Sequence, residues 1–264
     1  MRRDAVALKG VTLATYLDGE GEKPWIVLSN SLGATHAMWD QQMPLLARRY
    51  RVLRYDTRGH GASSVPAAPY CIEDLAGDVL GLMDHYGVAR ADFMGLSLGG
   101  TTGLGLGLDH PDRIGRIVCC DAPSETTPAD IERWDRRIAT IRTDGIAPLT
   151  DEIMARWCTQ AFRDAHPDIL ANSVAMLLAT SEPGYIGCAE ALKDIHYFPR
   201  LGDLTVPVFY IAGRQDSGFY ENTLLMAEKT PGGRLKIVDP GAHLPNVENP
   251  EAFNRILADW LDIR

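Results

Sequence analysis

Disulfide chemistry, metal chelation and membrane insertion are all poorly served by this chain. Its five cysteines, at 71, 119, 120, 158 and 188, form an odd set with no C-x-x-C pair and no metal-ligand spacing. That excludes a secreted disulfide framework and predicts reduced, mostly buried packing residues. No run of about 18 apolar residues is present to span a bilayer. The opening Met1-Arg2-Arg3-Asp4 lacks the apolar stretch of a signal peptide, so the expected location is the cytoplasm. Positive charge is also scarce. With 26 Lys and Arg against 35 Asp and Glu, a net charge of -9, the chain carries no electrostatic footprint for nucleic acid or an anionic membrane. Repeats and low-complexity segments are absent, and soluble chemistry on a small molecule is the class that fits.

Apolar residues are plentiful. At 264 residues and 45% hydrophobic, one α/β domain would bury roughly 75% of its unfolded surface. The organising stretch is Gly95-Leu96-Ser97-Leu98-Gly99-Gly100, which matches G-x-S-x-G, a sharp strand-to-helix turn that exposes a serine nucleophile. Residues 91–94 read as a buried strand before it and 101–108 as a small, apolar helix after it. Glycines at 95 and 99 leave the room that a strained turn needs.

Apolar runs at 11–16 and 25–28, separated by a polar connector at 18–24, predict an opening hairpin. The second run leads into Ser29-Asn30-Ser31-Leu32-Gly33 and a helical 38–50, and the C-terminal end of a strand is where α/β sheets place binding groups. A strand at 51–55 ends in a glycine-punctuated loop, 56–63, read as a structural turn in which Asp56 and His60 serve the backbone. A helix at 72–86, stopped by Gly87, and a strand at 114–120 ending at Asp121 follow. From 124 to 199 strand signals give way to helical stretches at 131–142, 151–162 and 169–178. Strands return at 206–212 and 234–238 around a helix at 220–229, and Asn249 caps a last helix with Pro250 at its first position. This alternation predicts a mostly parallel sheet covered by helices on both faces. Residues 1–123 and 200–264 would form the core, and 124–199 a helical cap inserted after the strand that follows the serine turn.

A serine hydroxyl needs a base, a group to orient that base, and donors for the oxyanion. Of the histidines, His243 is the base expected, since it lies in Pro240-Gly241-Ala242-His243-Leu244-Pro245, just past the last strand and at the same sheet edge as Ser97. The acid should lie between nucleophile and histidine in the chain. Asp216, after the penultimate strand, fits; Asp121 competes for the role, and Asp239 is too close to the histidine. The oxyanion donors expected are the backbone N–H groups of Leu98, after the nucleophile, and Leu32, in the early loop.

Taken together, these segments resemble the α/β-hydrolase family over essentially the full chain. Leu28-Ser29-Asn30-Ser31-Leu32-Gly33, Arg54-Tyr55-Asp56-Thr57-Arg58-Gly59-His60-Gly61, the Ser97 turn and Ala242-His243-Leu244-Pro245-Asn246-Val247-Glu248 are similar, more narrowly, to the 3-oxoadipate enol-lactonases of aromatic-acid degradation. Asn30-Ser31 stands where most α/β hydrolases carry His-Gly. The resemblance implies an α/β-hydrolase fold and opening of 3-oxoadipate enol-lactone through an acyl-Ser97, with no metal or organic cofactor. A lactone or ester bearing a carboxylate calls for local positive charge. At least one of Arg133 and Arg137, on the cap-helix stretch that holds Trp134, is expected to supply it, with Trp134 walling the pocket; ion pairs with Glu132 and Asp135 on a solvated face are the alternative. A carboxylesterase or lactonase of other substrate range, and a non-catalytic receptor or scaffold on the same fold, are the competing functions.

Overall fold

A two-residue turn decides how the sheet begins. In the computed structural model, which describes residues 1–263, Gly10 takes φ 81 and folds β1 (Arg2–Leu8) back onto β2 (Val11–Asp18), with Leu8 opposite Val11. The expected hairpin between β2 and the next strand is therefore not formed. β3 (Trp25–Ser29) is buried along most of its length and needs a neighbour on each side, so β4 (Arg51–Tyr55), reached through α1 (Met43–Arg49), inserts between β2 and β3. β2 then pairs antiparallel with β1 and β4. The missed β1 opens on the charged Arg2, Arg3 and Asp4 and is mostly exposed, which suits a sheet edge and leaves only a short apolar run to find.

After α2 (Ile72–His85) come β5 (Ala91–Leu96), α3 (Leu98–Asp109) and β6 (Ile114–Cys120). Five helices precede the next strand: α4 (Pro128–Asp144), α5 (Thr150–Trp157), α6 (Gln160–Ala165), α7 (Pro167–Leu178) and α8 (Glu182–Ala191). The chain closes with β7 (Val208–Gly213), α9 (Tyr220–Lys229), β8 (Arg234–Val238), the single turn α10 (Pro245–Glu248) and α11 (Pro250–Leu261). The eight-stranded sheet runs β1-β2-β4-β3-β5-β6-β7-β8 and is parallel from β4 to β8. With helices packed on this sheet, the architecture is the α/β-hydrolase fold. α3, small and apolar, packs across β3, β5 and β6.

The two ends of the helical insertion are stitched together. Glu125 bridges His196, and the N–H groups of Tyr197 and Phe198 both donate to Ser124 O at 2.8 Å. Within it, the helix expected over 151–162 breaks after Trp157. Thr159 caps α6, its hydroxyl accepting from Phe162 N at 3.3 Å. α8, rich in glycine and alanine with Pro183 in its first turn, lies outside every stretch expected to be helical. Four cysteines are buried and Cys71 is exposed, all free thiols. Among the described residues no helix is long and apolar enough to cross a membrane.

Candidate active site

Ser97 sits at φ 55 and ψ -116, backbone that a non-glycine residue holds only when its surroundings impose it. The imposition is mutual hydrogen bonding: Ser97 N donates to Cys120 O, and Thr101 N to Ser97 O, each at 2.9 Å. Close packing does the rest. A Cβ on Gly95 would stand 2.2 Å from the Gly99 carbonyl, and one on Gly99 would stand 2.4 Å from Ser29 O, so neither position admits a side chain. Ser97 thus heads α3 with its hydroxyl at the C-terminal edge of the sheet.

The early loop is tied to this turn by Gly99 N, which donates to Asn30 O at 3.1 Å. Asn30 is fully buried; its Nδ2 donates to Tyr55 O at 2.7 Å and its Oδ1 accepts from Trp39 Nε1 at 3.1 Å. His60 supports the same loop from below. Gly33 N donates to His60 Nε2 at 3.0 Å, so the ring proton is on Nδ1, 3.1 Å from Arg58 O. Burial pushes this imidazole below its ordinary pKa, and it acts as a neutral brace. Leu32 N and Leu98 N have no protein acceptor among the described residues, as oxyanion donors require.

His243 is buried, and its Nδ1 lies 2.7 Å from Asp216 Oδ2. With Nδ1–H committed to Asp216, Nε2 is the nitrogen left to take a proton. Burial would raise Asp216, but the charge and hydrogen bond of His243, then the Arg156 guanidinium and the Gly218 N–H, hold it below the usual carboxylate range. Burial lowers His243. Asp216 opposes that shift while Arg156 and Arg137 reinforce it, and the net result lies below the ordinary histidine value. The His243 imidazole is therefore neutral at pH 7. Activity should hold as pH falls from neutrality and be lost only as the pH passes through the depressed pKa of His243, giving an acid limb in kcat/KM centred below about 6.5. A pH–rate profile checks this, and a midpoint at or above the ordinary value would contradict it.

Ser97, His243 and Leu32 line one cavity beneath the inserted helices. Its walls include Trp134 and Arg137 from α4, Ile153, Arg156 and Trp157 from α5, Tyr185 from α8, and Phe219. Arg137 stacks its guanidinium over Trp134, 5.4 Å from the ring centre, and pairs with Glu152. Arg133 does not reach this cavity. Asp130, one turn back on α4, holds it at 2.7 Å in an adjoining groove. Arg156 was not among the expected residues. Its guanidinium lies 4.7 Å from the Phe219 ring and has no hydrogen-bonding or ion-pair partner among the described residues. Burial, with repulsion from Arg133 and Arg137, lowers its pKa, though an arginine stays charged at neutral pH. The readable signal was an arginine three residues after Ile153 and beside Trp157, on the buried face of an amphipathic helix.

Glu248 fastens the histidine loop to the inserted helices. Its Oε2 accepts from Ala242 N at 2.9 Å, its carboxylate accepts from Thr159 N at 3.2 and 3.3 Å, and the Thr159 hydroxyl donates to it as well. Alongside, Leu244 N donates to Trp157 O at 2.9 Å and His243 N to Arg156 O at 3.4 Å. Among the described residues no group of three or more His, Cys, Asp or Glu side chains is arranged to hold a metal ion.

Comparison with known proteins agrees with this architecture. The model of the alpha/beta hydrolase fold family matches residues 24–144. The chain is 34% identical to 3-oxoadipate enol-lactonase 2 of Acinetobacter baylyi over 253 residues, 96% of this chain and 94% of that protein. A protein of Caulobacter segnis provisionally named carbamate hydrolase RutD is 38% identical over 247 residues, 90% of this chain and 91% of its own. The crystal structure of the enol-lactonase from Burkholderia xenovorans superposes with a TM-score of 0.94 at 39% identity, covering 98% of this chain and 100% of that one. By sequence, by fold and by its enol-lactonase relatives, the chain belongs to the α/β-hydrolase family and is a hydrolase of the ester and lactone type.

Proposed function

We propose that the chain hydrolyses 3-oxoadipate enol-lactone, with Ser97, His243 and Asp216 as a catalytic triad, Leu32 and Leu98 N–H as the oxyanion donors, and α4 to α8 as a substrate-selecting cap. The observation that carries the substrate class is Arg156, a guanidinium without a carboxylate partner in the cavity that holds Ser97 and His243. Beside the paired Arg137, it makes that cavity a receptor for a substrate carboxylate, which the enol-lactone has and a simple ester lacks. Trp134, Trp157 and Phe219 supply apolar walls for the ring.

Ser97 Oγ attacks the lactone carbonyl carbon as His243 Nε2 takes its proton, and the oxyanion is met by the two amides. Asp216 stabilises the imidazolium without becoming protonated. The ring C–O bond then breaks. Its oxygen leaves as an enol with the proton from His243 and tautomerises to the ketone, while the acyl carbon stays on Ser97. Water, deprotonated by His243, attacks the acyl-enzyme and releases 3-oxoadipate and free Ser97. The cationic wall suits the two negative charges of that product.

The test is loss of enol-lactone absorbance with purified protein, run beside p-nitrophenyl acetate and a carbamate. The expected result is lactone opening far faster than cleavage of either comparison substrate. Ester hydrolysis with no lactone opening would keep the hydrolase and remove the substrate; preference for the carbamate would transfer the assignment to the chemistry for which the Caulobacter relative is named.

A further inference from the structure

The proposed reaction leaves a fully buried carboxyl unused. Asp121 follows β6 at φ 41, with its N–H donating to Ile211 O at 3.1 Å. Both of its carboxyl oxygens face a single donor, Gly213 N, at 3.0 and 3.2 Å. Gly213 ends β7 and its carbonyl accepts from Asp216 N at 3.1 Å, a tight turn that brings the buried Asp216 carboxyl against that of Asp121. The two acids are unequally served. Asp216 has His243 Nδ1 at 2.7 Å, Gly218 N at 3.2 Å and the field of Arg156; Asp121 has one amide shared between two oxygens and only a weak share of the Arg156 field.

Two carboxyls in contact in a buried place do not both ionise, and the proton stays on the one with fewer donors. Burial and the neighbouring Asp216 keep Asp121 well above the ordinary carboxylate range. The groups facing it from the surrounding elements do not reverse this: Asp216 and Gly213 from the β7 end, Arg156 from α5, and on its own strand the thiols of Cys119 and Cys120, which burial keeps protonated. A protonated carboxyl has one O–H to give, and the acceptor in contact is Asp216.

Granted the reading of Ser97, His243 and Asp216 as a triad, on which this rests, we propose that Asp121 is a positioning residue, a neutral carboxylic acid whose O–H donates to Asp216 and fixes the rotamer in which Asp216 Oδ2 meets His243 Nδ1. Asp121 touches no substrate. It acts through Asp216 by occupying the lone pairs that would otherwise let that carboxylate rotate, and by drawing charge from the face opposite His243.

The experiment compares D121A with D121N. An amide keeps both contacts, its Nδ2 donating to Asp216 and its Oδ1 accepting from Gly213 N, whereas alanine keeps neither. D121A is expected to lose about 10- to 100-fold in kcat, as for a charge-assisted hydrogen bond, with KM little changed. Its acid limb should move upward, because Asp216 holds the imidazolium more strongly without the donor. D121N is expected to recover most of that turnover and the original limb. Infrared difference spectra at neutral pH, wild type minus D121N, should show a protonated carboxyl stretch, a readout that needs neither turnover nor a folded D121A. A D121N as slow as D121A, a wild-type kcat and limb in D121A, or a difference spectrum showing only carboxylate would each overturn the proposal. Failure of the triad itself is recognised separately, by an S97A variant that still turns over.

Discussion

Replacing Ser97 by alanine is expected to lower kcat on ester and lactone alike by about 10⁴- to 10⁶-fold, the range found when a triad nucleophile is removed and only binding and oxyanion donors remain. The fold should survive. Alanine keeps the Cβ at φ 55, so the turn is strained no more than before, and the hydrogen bonds that hold it use the Ser97 backbone. Thermal unfolding should therefore stay within about 0.5 kcal/mol of wild type, as for a substitution that touches no buried network. A fluorophosphonate should label the wild type and not the variant. A receptor or scaffold on this fold predicts the opposite pattern, with no turnover to lose and slow labelling or none.

The second large effect concerns Arg156. R156L is expected to raise KM for a carboxylate-bearing lactone by about 10- to 100-fold, as for loss of a hydrogen bond to a charged group, while KM for p-nitrophenyl acetate stays near its original value. Stability should change little, because the variant removes a half-buried guanidinium with no hydrogen-bond or ion-pair partner among the described residues, and loses only its longer-range attraction to Asp216. R137L contrasts with it. Arg137 is paired with Glu152 and bonded to Tyr185 Oη at 3.4 Å, so its loss uncouples a partly buried pair and should cost stability as well as binding. Arg133, already paired with Asp130 and outside the cavity, should matter least of the three. Arg156 also depresses His243, so R156L should shift the acid limb upward on the neutral ester, where carboxylate binding plays no part. Equal KM changes on both substrates, or none, would remove Arg156 from carboxylate recognition.

Much of the frame is legible in the residues because strands and helices of this fold carry unmixed signals. β3 and β7 are nearly continuous apolar runs, and β5 becomes one after Asp92, as a doubly covered parallel strand requires. Ser97 follows β5, Asp216 follows β7 and His243 follows β8, each at a strand's C-terminal end, so their meeting at one sheet edge can be anticipated from order alone. What stays hidden is what depends on partners far along the chain. β1 is charged and gains its place by pairing with β2, which no local pattern records. α8 is built on close approach, with Gly184 stacked directly on Gly59, and its composition imitates a loop. The break between α5 and α6 depends on a carboxylate 89 residues away, Glu248 at Thr159. Arg133 and Arg137 stand one turn apart on α4, yet Arg133, paired with Asp130, lines the groove and Arg137, paired with Glu152, lines the cavity.

The Glu248 clasp has a consequence for how this enzyme can diverge. It joins the His243 loop to the end of the helix that presents Arg156, so, on the proposed triad, an insertion, deletion or tilt in α5 is expected to displace His243 and lower turnover. α4, which brings Trp134 and Arg137 to the same cavity, has no such tether to the histidine loop among the described residues. Descendants seeking new substrates should accumulate change in α4 and preserve the register of α5 against its clasp. Libraries for directed evolution that randomise residues 130–141 should accordingly yield more active clones with altered selectivity than libraries of equal size over residues 150–159.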